Sequence, residues 1–117
     1  MVVTSRASKI KRIKFFLDRR SKLINNKLPF KEEFFSKETS IRVFSRDLDN
    51  HDLLWHRDDE ERKIIVIKSS GWQIQLDNSI PTILNDGDEV MIKRGEWHRV
   101  IMGYDDLIIK IIRSYDE

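Results

Sequence analysis

The stretch from Gly87 to Arg99, Gly-Asp-Glu-Val-Met-Ile-Lys-Arg-Gly-Glu-Trp-His-Arg, constrains the fold more tightly than any other part of the chain. Gly87-Asp88 is a turn signal, Val90 and Ile92 alternate like a strand, and Gly95 breaks that strand just before His98. From Ser40 onward the rest has the same texture. Short strands are predicted at 41–44, 52–56, 63–68, 72–76, 82–84, 89–93, 98–101 and 107–112. Polar turns such as Asp47-Leu48-Asp49-Asn50, Asn85-Asp86-Gly87 and Gly103-Tyr104-Asp105-Asp106 separate them. Many short strands with regular polar turns indicate an all-β sandwich, jelly roll or barrel.

A chain of 117 residues supports one domain and one core. No cysteine is present, which removes disulfides, thiolate metal sites and a cysteine nucleophile together. No apolar run reaches the length of a membrane span, and the N-terminus lacks the order of a signal peptide, so a cytoplasmic location is expected. The net charge of +2 hides an uneven distribution. Residues 1–30 carry Arg6, Lys9, Lys11, Arg12, Lys14, Arg19, Arg20, Lys22 and Lys27 against Asp18 alone.

Within that basic end, Ile10, Ile13, Leu17 and Ile24 recur at helical spacing from about Ser5 to Asn26, which predicts an amphipathic helix. Its basic face suits nucleic-acid phosphates or an anionic lipid surface; alternatively the helix packs its apolar stripe on the barrel and leaves its charges in water. Residues 27–40 read as a connector, so the expected organisation is a helix-and-connector segment over 1–39 and a barrel over 40–117.

The offsets of Gly87, Gly95 and His98 resemble the second cupin motif, G-x5-P-x-G-x2-H, with Lys93 in the place of the proline. Counted back from Ser69-Ser70, His56, Asp58 and Arg62 fall on the His, His and Glu positions of the first motif, G-x5-H-x-H-x3,4-E-x6-G. Residues 52 to 101 thus resemble the small single-domain cupins, including short ones from phage genomes. That resemblance implies a double-stranded β-helix, a jelly-roll barrel, preceded here by the amphipathic helix. It also implies a divalent metal (Fe, Mn, Ni or Zn) with His56, Asp58 and His98 as ligands, a small-molecule ligand, and a homodimer formed through a sheet face. A spacing of His-x-Asp followed by a distant His is also similar to that of the 2-oxoglutarate oxygenases, for which Lys110 is the nearest candidate cosubstrate-binding residue.

Arg62 complicates the metal reading. A guanidinium stays charged and does not ligate metal. At ~4 Å it repels a unit positive charge by roughly 4 kcal/mol at a surface-like dielectric. It also offers Asp58 a competing ion pair, so His56, Asp58, Arg62 and His98 read equally as a satisfied polar cluster. A two-residue hairpin turn at Ser69-Ser70 pairs Val66 with Gln73 and Ile64 with Gln75. With Arg62 inward, Gln73 and Gln75 then join Arg62 and His98 as ligand-binding groups; a register slip of one instead exposes them. The outer face of that hairpin is then Ile65, Ile67, Trp72 and Ile74, which needs cover. Trp55 and Trp97, each preceding a motif histidine, are expected to face away from the interior, and His51 falls in a turn.

Three functions are compatible with these residues. One is a metal-dependent dioxygenase or isomerase acting on a small polar or anionic molecule. Another is a metal-free small-molecule-binding or structural cupin. The third is a nucleic-acid-associated accessory protein that uses the basic helix.

Overall fold

A computed structural model of the chain describes residues 29–48 and 53–115. The helix expected over 5–26 and His51 lie outside the described residues. The described chain is all-β, with eight strands: β1 Lys31–Phe34, β2 Thr39–Phe44, β3 Glu61–Lys68, β4 Gln73–Leu76, β5 Thr82–Ile83, β6 Glu89–Ile92, β7 His98–Ile101 and β8 Leu107–Ser114. They form a five-stranded sheet in the order β1-β2-β8-β3-β6 and a three-stranded sheet in the order β5-β4-β7. Neighbours in both sheets are antiparallel. The core lies between the sheets, where Ile64, Val66, Leu107, Ile109 and Ile111 meet Trp72, Ile74 and Leu84. Phe44 links the two sides, its ring 5.8 Å from that of Trp72.

The turns that open and close the Gly87–His98 stretch are as its glycines require. Gly87 and Gly95 adopt φ of 88° and 76°, a region that a residue with a Cβ enters at a cost. Gly87 donates its amide to the Val66 carbonyl, and Gly95 donates to that of Asp58. The second bond ties the turn before His98 to the segment carrying His56 and Asp58.

Three expectations are corrected. First, residues 31–34, read as connector, form an edge strand paired with β2, because the Phe35–Glu38 turn is closed by the Ser36 hydroxyl accepting from the amides of Glu38 and Thr39. Secondly, of the strand expected over 52–56, the described part makes only an isolated bridge, His56 to His98. Thirdly, β3 and β4 do not form a hairpin. A register shift interrupts β3 between Val66 and Lys68, and the turn bonds to other loops: the Ser69 amide donates to Asp86 and the Ser70 carbonyl accepts from Tyr104. The chain thereby crosses from one sheet to the other. Trp72 and Ile74 consequently point into the core, and Gln73 and Gln75 occupy the opposite face of β4.

The inner face of the larger sheet is unusual in its polarity. Along β2 the buried positions are Ser40, Arg42 and Phe44, while Ile41 and Val43 lie on the outer side. On β3 and β8 the buried set begins or ends in arginine, Arg62 and Arg113, which are direct cross-strand partners. Lys110 lies on the outer side with its partners Ile41 and Ile65, so it does not reach the interior.

Candidate metal centre

The antiparallel bridge between His56 and His98 is made by both backbone bonds, N to O at 3.0 and 2.9 Å, and sets the two imidazoles side by side with ring centroids 4.1 Å apart. The same bridge explains the repeated Trp-His-Arg tripeptides. Antiparallel pairing places each tryptophan opposite the other tripeptide's arginine. Arg57 lies over the Trp97 ring at 5.3 Å and Arg99 over the Trp55 ring at 5.1 Å. The tryptophans therefore pack away from the histidines, as alternation predicts, and brace the bridge from behind.

Each ring is oriented by its own backbone. His56 Nδ1 lies 3.2 Å from the Leu54 carbonyl oxygen and His98 Nδ1 lies 2.8 Å from that of Glu96. A carbonyl only accepts, so both rings carry their proton on Nδ1 and present the Nε2 lone pair to Asp58. Asp58 Oδ2 stands 3.4 Å from His98 Nε2 and 3.9 Å from His56 Nε2. That oxygen is buried and accepts no hydrogen bond. The donor atoms of all three residues lie within 4.8 Å of one another.

The electrostatics keep the donors in their ligating forms. Burial, reinforced by the neighbouring His98, holds His56 well below the usual imidazole pKa, against the pull of Asp58 and the Leu54 carbonyl. His98 is likewise lowered, first by burial and then by Arg62 and Arg42, with Asp58 and the Glu96 carbonyl opposing. Burial alone raises Asp58, but Arg62, joined by His56, His98 and Arg42, outweighs it and the carboxyl is held below its ordinary value. Two neutral imidazoles and one carboxylate result, the state that divalent first-row metals bind.

Arg62 is accommodated differently from what the sequence implies. Its Nη2 meets Asp58 Oδ1 at 3.3 Å, leaving Oδ2 to the histidines, while its Nε donates to Glu60 at 2.6 Å. Asp58 therefore serves the guanidinium and the histidine pair with different oxygens. Beyond Arg62 the ion pairs continue along the sheet. Glu60 lies 3.9 Å from Arg113, Arg113 bonds Glu32 at 2.7 Å, and Glu32 bonds Arg42 at 3.0 Å. Sequence reasoning missed Glu32, Ser40, Arg42, Glu60 and Arg113 as members of this site. The available signal was the polar alternation Ser40-Ile41-Arg42-Val43, which reads as exposed until β2 is seen to lie in the sheet's interior.

Next to the histidines lies a partly open cavity of about 50 Å³, lined by Arg42, Arg62, His56 and His98 and otherwise by apolar side chains such as Ile64, Ile74, Ile109 and Val100. Gln73 and Gln75 are not among its lining residues. Gln75 accepts from Arg99 at 2.9 Å and donates to the Ser79 carbonyl on the outside. Of the ligand-binding groups expected from the sequence, Arg62 and His98 converge on the cavity and the glutamines do not.

The fold and the cluster together define a double-stranded β-helix with a two-histidine, one-carboxylate group at one end. No protein-family model matches the chain, and no curated protein matches it in sequence. Solved structures do match. An RmlC-like cupin family protein from Methanocaldococcus jannaschii aligns with a TM-score of 0.57 at 15% identity, over 73% of this chain and 77% of that one. KdgF from Halomonas sp. aligns with a TM-score of 0.54 at 15% identity, over 75% and 79%. The DMSP lyase DddQ from Ruegeria pomeroyi aligns with a TM-score of 0.56 at 13% identity, over 75% of this chain. The chain spans 48% of that enzyme and 37% of another matched DMSP lyase structure. The fold is thus that of the small RmlC-like cupins. No helix among the described residues is long and apolar enough to cross a membrane.

Proposed function

We propose that this chain is a metal-dependent small cupin in which His56, Asp58 and His98 hold one divalent cation (iron, manganese, nickel or zinc) beside a cavity for a small ligand. The observation that carries this reading is the buried Asp58 Oδ2, without a hydrogen bond and turned toward the Nε2 atoms of two rings whose Nδ1 positions are fixed by backbone carbonyls. An orphaned carboxylate oxygen in a protein interior costs stability unless something binds it. When present, the cation supplies Lewis-acid polarisation or, as iron, oxygen chemistry, consistent with an isomerase or dioxygenase. The chain's own residues have separate duties. The Leu54 and Glu96 carbonyls hold the imidazole tautomers, Glu60 and Arg62 orient Asp58, and the aliphatic walls keep water from the ligand.

The Asp58–Arg62 ion pair favours a second reading, a metal-free binding cupin whose polar cluster is complete in itself. Elemental analysis after loading the stripped protein with each of the four metals separates the two. One equivalent retained by the native sequence and lost in His98→Ala supports the metal centre. No retention under any loading condition overturns it.

A further inference from the structure

We infer that the ligand of this cavity is a short-chain aliphatic carboxylate, its anionic head at the histidine end and its alkyl body against the aliphatic walls; this rests on the metal-centre reading above. The argument is one of charge. Among the described residues, the charged side chains lining the cavity are Arg42 and Arg62, and no carboxylate lines it. Asp58 is the single acid in the ligand set, and its charge is already matched by Arg62 at 3.3 Å. Glu60, the next acid, is bonded to the same guanidinium at 2.6 Å, and with Arg113 and Arg42 counted three guanidinia balance the three acids Glu32, Asp58 and Glu60. A divalent cation on two neutral imidazoles and Asp58 therefore keeps most of its charge, in a place where water is scarce and field strength is high. A neutral ligand leaves that charge uncompensated; an anion cancels part of it.

The body of the ligand follows from the rest of the wall. Ile64, Ile74, Ile109 and Val100 offer no hydrogen-bond partner, so a sugar-like or polyhydroxylated ligand would bury hydroxyl groups without acceptors. At ~10–15 Å³ per water-sized group, the cavity takes roughly three to five such groups. Counting the carboxylate as one group and each further carbon as another, that size fits a straight-chain acid in the propanoate-to-pentanoate range.

The test uses the full chain loaded with Mn(II), with metal affinity measured by chelator competition in the presence of acetate, propanoate, butanoate, pentanoate and hexanoate and of the matching primary amides. The expected result is at least tenfold tighter metal binding with the best acid, a maximum within the series, and no effect of the amides. In Ile64→Ala, which lengthens the cavity, the maximum should move to a longer acid. If one equivalent of metal binds but acids and amides act alike, or acetate acts as well as every longer acid, the inference falls while the metal centre stands. If no metal binds, the metal centre falls instead. The acid series is then followed by NMR shifts of Ile64 and Val100 in the metal-free protein, where saturable, chain-length-dependent shifts retain the inference and their absence overturns it.

Discussion

Glu32 is the carboxylate that holds two buried arginines, and its replacement by glutamine gives a quantitative test of the interior charge chain. It accepts from Arg42 at 3.0 and 3.1 Å, from Arg113 at 2.7 Å and from the Ser40 hydroxyl at 2.6 Å. Burial raises its pKa, but the charge of Arg42 and the bonds from Ser40, Arg42 and Arg113 more than reverse this, and the value falls from 4.5 to about 2. At ~1.36 kcal/mol per pKa unit the difference is roughly 3 kcal/mol. Because the side chain keeps 11% exposure, we reduce this to about 2–3 kcal/mol for solvent screening. A carboxyl with a depressed native pKa contributes stability that is full above its unfolded value and disappears as pH falls through the native one. The stability gap between the native sequence and Glu32→Gln should therefore be widest at neutral pH, begin to close below pH 4.5 and shrink by about 2–3 kcal/mol on approach to pH 2. Asp58, also held below its ordinary value, loses its charge in acid in both proteins and so largely cancels from the difference. Urea unfolding at a series of pH values measures the gap. If the variant is too unstable at neutral pH, side-chain carboxyl NMR of the native protein supplies the midpoint of Glu32 directly. A gap that does not change with pH, together with a midpoint near 4.5, would refute the reasoning.

Other parts of the structure make separate predictions. Gly103→Ala should destabilise the fold by about 3 kcal/mol or more, seen as a lower urea midpoint. The added Cβ would meet the Ser70 carbonyl oxygen and, at 2.6 Å, the amide nitrogen of the fully buried Trp72, and neither can yield as a flexible side chain would. Double-mutant cycles at Arg57/Trp97 and Arg99/Trp55 should each give a coupling of about 0.5–1 kcal/mol, the former larger because Trp97 is buried; zero coupling would show that the stacked pairs merely coincide. Glu60→Gln should weaken metal binding by about 10–100-fold in chelator competition, since it loosens the guanidinium that orients Asp58. Asp58→Asn should weaken it further, because the ligand itself loses its charge.

The overall architecture was legible because it is written in backbone chemistry. Gly87, Gly95 and His98 mark two turns and an aimed side chain, and the structure keeps all three in those roles. Position 62 is inward only if it takes the motif's glutamate place, since Ile64-Ile65-Val66-Ile67 shows no alternation; the structure buries Arg62, Ile64 and Val66. What failed was the partner of β3. Ser69-Ser70 was read as a two-residue hairpin turn, yet such turns favour Asn-Gly or a leading glycine, and neither is present. A single wrong pairing then reversed β4, placing Gln73 and Gln75 inside and Trp72 and Ile74 outside. β1 was invisible for a different reason. Its inward residue is Glu32, so Lys31–Phe34 shows none of the apolar alternation by which strands are recognised.

That same inverted patterning resolves the conflict at position 62. Viewed alone, an arginine on the glutamate position of the motif both repels a cation and draws away its carboxylate ligand. In the folded sheet its Nε is taken by Glu60 and its Nη2 by Asp58 Oδ1, so the guanidinium lines the cavity with the histidines while Asp58 Oδ2 is left to the rings. Cross-strand pairing puts Arg113 directly opposite Arg62, a contact between like charges that Glu60 and Glu32 relieve from either side. The guanidinium at position 62 is thus held by two acids that precede it in the chain, Asp58 and Glu60, while Glu32, on the strand that patterning could not reveal, holds its cross-strand partner Arg113. Two imidazoles and one carboxylate remain as the donors that could hold a metal ion. The same row of charges thus links the sheet to the histidine pair: Glu32 and Glu60 hold the arginines in place, and Arg62 reaches Asp58 beside the two rings.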